Sequence, residues 1–143
     1  MGWLDDFKAQ KGDDPQDRYE DEVLGLMSWS PDDEAWAGEH CGLRFLIAFE
    51  RQPTPTKDLL AYAREMLADL AQFIGAIDRA KSTAIAENPR LADEIAGLRA
   101  ETVHFYEHKG HRRIITDLSG GMGDRSWRVE FLEKGCEGIG FDT

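Results

Sequence analysis

The segment from Thr56 to Asn88 constrains this chain more than any other, because one helical pattern runs through it almost without interruption. Leu59, Leu60, Ala63, Met66, Leu67, Leu70, Phe73, Ile74 and Ile77 recur at three- and four-residue spacings, so they fall on one stripe of a helix. A stripe of that width has to be covered. Thr56 is placed to cap the N-terminus, Asp58 lies in the first turn where a carboxylate complements the helix dipole, and Asn88-Pro89 ends the pattern. Beyond the proline, Leu91, Ile95 and Leu98 sketch a shorter second helix.

The flanks carry the two-residue alternation of strands, which makes a sheet the natural cover for the helical stripe. Upstream, Val23, Gly25, Met27 and Trp29 alternate with Leu24, Leu26 and Ser28, and Ser30-Pro31-Asp32-Asp33-Glu34 reads as a turn. Ala35–Gly38 reads as a returning strand, and Leu43–Glu50 is an apolar run suited to a central strand, ended by Pro53 and Pro55. Downstream, Val103 and Phe105 alternate with Thr102, His104 and Tyr106, and Lys109-Gly110 makes a hairpin turn. Further strands are expected over Arg112–Leu118, Trp127–Leu132 and Ile139–Phe141. The pattern predicts an α+β domain: an antiparallel sheet of about five to six strands in strands-helices-strands order, with one long and one shorter helix packed on one face.

A chain of 143 residues suits a single core. Residues 1–22 read as a mobile acidic segment, with eight acids against three bases between Asp5 and Glu22, and residues 23–143 as the domain. The 28 acidic and 17 basic residues give a formal charge of -11, a field that repels phosphate backbones and disfavours direct nucleic-acid binding. No apolar run approaches the roughly 18 to 20 residues of a spanning helix. Asp5 and Asp6 stand where a secretory signal would carry bases. A cytoplasmic protein that does not engage membranes is expected, with Cys41 and Cys136 as reduced thiols, since they show no C-x-x-C spacing.

Candidate chemistry is sparse. His104, His108 and His111 would suit zinc on a helix, but on a strand residues four apart are separated by about 13 Å, too far to share an ion. Lys109, His111, Arg112 and Arg113, with Arg125 and Arg128, form a basic cluster that would balance the domain's own acids. Ser119–Gly123 lacks the Lys-Ser/Thr ending of a phosphate loop. His40 and Cys41 are adjacent and so point to opposite faces of a strand. No G-x-S-x-G occurs. No catalytic set, metal site or cofactor is expected. Asp32, Asp33 and Glu34 at the hairpin tip, with Glu39, instead make a dense negative patch beside Trp29 and Trp36, and Trp36 is the expected aromatic anchor of a partner-binding surface.

Leu24-Gly25-Leu26, Trp29 and Trp36-Ala37-Gly38 resemble the opening of small bacterial domains of unknown function that begin with Leu-Gly-x and Trp-x-Gly strands. The end of the chain is similar as well: Trp127–Leu132, a turn at Glu133-Lys134-Gly135, and the closing Gly138-Ile139-Gly140-Phe141. Lys134 stands where that pattern carries His. The resemblance implies a toxin-neutralising, immunity-type protein whose partner is a basic toxin. Two other functions are left open by the residues. One is a small metal-dependent hydrolase using the His104/His108/His111 region. The other is an assembly module in which Trp3, Leu4 and Phe7 dock on a neighbouring copy. The oligomeric state is left open too.

Overall fold

Both strand-rich flanks fold into one continuous sheet, described in a computed structural model over residues 18–48, 57–120 and 125–142. Strands β1 (Arg18–Asp21), β2 (Gly25–Ser30), β3 (Ala35–His40) and β4 (Leu43–Ala48) meander first. The chain then passes through α1 (Lys57–Ala68), α2 (Leu70–Glu87), a 3-10 turn (Pro89–Leu91) and α3 (Ala92–Ala96). It returns as β5 (Arg99–His108), β6 (His111–Ser119), β7 (Ser126–Leu132) and β8 (Gly135–Asp142). Spatial order follows chain order, and all neighbours are antiparallel except β4 and β5, which run parallel across the helical crossover.

This corrects the expected architecture in three respects. Among the described residues the sheet has eight strands rather than five or six, one of its pairings is parallel, and three α-helices stand where two were expected. Arg18–Asp21, assigned above to the acidic N-terminal segment, pair with β2 through Arg18↔Ser28 to Asp21↔Gly25. Of these four, Tyr19 is the one with an apolar body, so the segment shows no alternation to read. The long helix divides at Asp69, whose backbone (φ -108°, ψ 72°) leaves the helical region while its carboxylate accepts from the Gln72 N–H at 3.2 Å. Asp69 thus caps α2, a role that Asp fills well and that the apolar stripe, unbroken from Leu67 to Leu70, conceals. The proposed Thr56 cap and Pro53 and Pro55 lie outside the described residues.

The core lies between the helices and one face of the sheet. Phe45, Val103, Thr116, Val129 and Ile139 form one cross-strand row, and Ile47, Phe105, Ile114 and Phe131 form the next. From above, Tyr62 of α1 meets Phe105 edge-on at 5.7 Å, and Phe73 of α2 stacks on Phe131 at 5.1 Å. Each fully buried large side chain contributes about 1.5–3 kcal/mol.

The Trp36-Ala37-Gly38 segment has a packing cause. Gly38 faces Phe45 in register on the core side, and a Cβ there would stand 2.6 Å from Phe45 Cζ. The ring occupies the space that a side chain would take. Gly38→Ala is therefore expected to cost about 1–3 kcal/mol, read as a lower urea midpoint with unchanged slope. Phe45→Leu introduced on the Gly38→Ala background is expected to recover part of that loss; no recovery would assign the cost to the backbone instead.

Candidate binding surfaces

The face of the sheet turned away from the helices carries a row of opposed charges beside a row that includes Leu46 and Ile115. Glu39, Arg44, Thr102, Asp117, Arg128 and Gly140 follow one another across β3 to β8 in register. Diagonal contacts tie this face together: His104 Nε2 lies 2.9 Å from Asp117 Oδ2, Arg128 pairs with Asp142, and Arg113 pairs with Glu137. These exposed pairs are each worth little, but together they take up the cations of this face.

The β2–β3 turn carries the predicted acidic residues. Asp33 accepts from Ser30 Oγ at 2.8 Å and from Arg44 Nη2 at 3.1 Å, and the Ser30 hydroxyl and Arg44 guanidinium hold its carboxyl below the usual range. The Glu34 N–H donates to the Pro31 carbonyl oxygen at 3.3 Å, with Glu34 at φ +50°. Asp33 thus fastens the turn to the sheet, while Asp32 and Glu34 are exposed and form no side-chain bond among the described residues. Glu39 is exposed at the other end of β3, opposite Arg44. Arg44 thus bonds Asp33 and stands opposite Glu39 in register.

Trp36 is not with them. Its side chain belongs to the helix side of the sheet, 1% exposed, and meets Trp29 edge-on at 5.8 Å and Tyr19 at 6.5 Å. The expected aromatic anchor is a core residue, because the pleat of β3 that sends Ala37 and Glu39 outward sends Trp36 and Gly38 inward.

The histidines lie on the β5–β6 hairpin. His104 and His108 are four residues apart on β5, and His108 faces His111 across the turn. Among the described residues, no three His, Cys, Asp or Glu side chains gather closely enough to hold a metal ion. Cys41 sits in the β3–β4 turn at φ +52° and Cys136 in β8, both as free thiols, and burial pushes the Cys136 thiol up. The arginines of the basic cluster pair internally: Arg112 bonds Glu133, Arg125 bonds Glu94 at 2.7 Å, and Arg113 and Arg128 pair as above, while Lys109 and His111 are exposed at the β5–β6 turn.

Two features escape sequence reasoning. One is a groove of about 710 Å³ between α2 and β8, with Phe73, Phe131 and Ile139 on its floor. It needs the full length of β8, whose glycines hide the alternation. The other is a pair of buried carboxylates. Glu94 on α3 accepts from Trp127 Nε1 at 2.6 Å as well as from Arg125. Asp21 at the end of β1 accepts from Arg64 Nε at 2.8 Å and from the N–H groups of Val23 at 3.0 Å and Leu24 at 2.9 Å. Nothing local in the sequence pairs residues 43 positions apart.

The Arg64 bond, aided by the two backbone donors, lowers the Asp21 carboxyl below its ordinary 3.8. A group depressed in the folded state stabilises above its unfolded value, and that stabilisation is lost as pH falls through the folded one. Asp21→Asn is expected to cost about 1.5–3 kcal/mol at neutral pH. In urea unfolding measured against pH, the gap between variant and parent should narrow below pH 3.8. A gap independent of pH would mean that the carboxylate's charge does not matter. No protein-family model, curated protein or solved structure matches this chain.

Proposed function

We propose that this chain is a non-enzymatic binding protein that neutralises a basic protein partner, as the resemblance to immunity-type domains implies. One observation carries this reading: in the described residues 21 carboxylates stand against 14 Lys and Arg side chains, and at least half of those cations are spent on internal pairs. Arg44, Arg64, Arg112, Arg113, Arg125, Arg128 and Lys134 each face a carboxylate. The chain as a whole carries -11, and Asp32 and Glu34 stand exposed on a turn that Asp33 fastens in place. A field of this sign repels nucleic acid and draws in a basic surface, speeding encounter before short-range contacts lock the pair.

No helix among the described residues is long and apolar enough to cross a membrane. We place the protein in the cytoplasm, where a partner made in the same cell would be met before it acts. A fixed acidic turn blocks a basic site by occupying it, and such blocking requires no chemistry.

The test is association with a basic protein encoded beside this chain, followed by stopped-flow at low and high salt. Replacing Asp32 and Glu34 with Lys is expected to slow association by about tenfold at low salt and much less at high salt. An unchanged on-rate removes the turn from the interface, and the absence of any complex with such a neighbour removes the toxin-neutralising reading.

A further inference from the structure

The two edges of the sheet are built differently. β1 has four residues and carries Arg18 and Glu20, the short and charged build that discourages pairing with a foreign strand. β8 has eight residues, none of them Pro, Lys or Arg, and no strand lies on its far side among the described residues. A bulge displaces Glu137, after which Gly138 to Asp142 run in register with Glu130 to Ser126. Among the described residues, five residues of paired strand thus present an edge with no strand beside it.

The groove beside α2 meets β8 at Cys136 to Ile139 and so reaches this edge at Gly138 and Ile139. A strand added at about 4.8 Å from β8 would send alternate side chains down toward Phe73 and Ile139 and the others onto the helix-free face. On that face Gly138 and Gly140 carry no side chains, and a Cβ on either would meet nothing within 4 Å. A long side chain from the added strand can lie flat across these glycines. What it reaches is a paired network with one carboxylate in surplus: Glu130, Glu137 and Asp142 share Arg113 and Arg128. The groove rim repeats the imbalance, with Glu65, Asp69 and Glu87 against Arg79 and Lys134. A second copy of the chain would bring two charges of -11 together, whereas a cationic segment is complementary.

We propose that β8 and the groove beside α2 take an extended basic segment of a protein partner by strand addition. Its apolar side chains enter the groove, and its Lys or Arg side chains cross Gly138 and Gly140 toward Glu130 and Asp142. This rests on the reading above that the partner is basic, and it assigns the contact that holds the pair after the field has brought it together.

The probe is a fluorescein-labelled peptide of alternating Val and Lys, about nine residues long to match a typical strand, titrated with the full chain by anisotropy at low salt. Two further peptides are N-methylated on one or the other alternate set of backbone amides. The expected result is saturable binding, weakened by about tenfold in Ala80→Trp, which fills the groove, and in one of the methylated peptides. Gly140→Trp, at an open and exposed position, covers the glycine shelf and should weaken binding similarly even if Ala80→Trp fails to fold. The chain carrying Lys at positions 32 and 34 should bind the peptide nearly as well as the parent.

Equal binding by both methylated peptides and by both Trp variants overturns strand addition. If the charge-reversed turn alone loses the peptide, the acidic-binder reading survives and its contact moves to the turn. A dimer in light scattering that Gly140→Trp dissolves makes the occupant a second copy and also overturns the proposal. No peptide binding at all removes strand addition, while the association assay with the neighbouring protein judges the broader reading independently.

Discussion

Because β4 and β5 run parallel, the chain between them cannot turn back as a hairpin and must cross over the sheet. That one pairing sets the remaining architecture. It joins two four-stranded meanders into a single sheet and brings α1 and α2 over the same face. It also aligns Phe45 with Val103 and Ile47 with Phe105, so the apolar rows of the two halves become continuous. A slip of one residue here would turn Phe45 and Ile47 outward and bring Arg44 and Leu46 beneath the helices.

The helix-free face follows from the same geometry. With every helix on one side, the other side must be satisfied by its own side chains, and opposed charges on adjacent strands do so cheaply. Thr102, Asp117 and Arg128 in one row, with His104 leaning on Asp117, leave few cations uncommitted. Hence the chain's acidic surplus is expressed at the β2–β3 turn, where Asp32 and Glu34 form no side-chain bond among the described residues, and along the rim of the α2–β8 groove, where acids outnumber bases.

How much of this was legible varies with the physics of each element. The stripe from Leu59 to Ile77 and the alternations in β5, β6 and β7 are local patterns, and they were readable. β1 was not, because its residues are mostly polar and its place depends on pairing with β2. Most of β8 was hidden by Gly135, Gly138 and Gly140, which remove the side chains that periodicity is read from. The break at Asp69 leaves the apolar stripe intact, so only the backbone reveals it. At the candidate site, the acidic turn could be read from its composition, whereas the inward direction of Trp36 depends on which face the distant helices cover. The pairing of Asp21 with Arg64 of α1 is likewise long-range, a meeting of residues that the chain separates by three strands.

The bond from Asp21 to Arg64 fastens the first strand to the roof of the domain. The opposite margin is tied to the same roof through Lys134 and Glu65 at 2.7 Å, yet its last strand is long, whereas the first is short and charged. A ribbon of this kind behaves like a monomer with one reactive end, lengthened more readily at that end than at the other. Growth of this kind favours discrete pairs over a fibre, which needs two open margins per molecule.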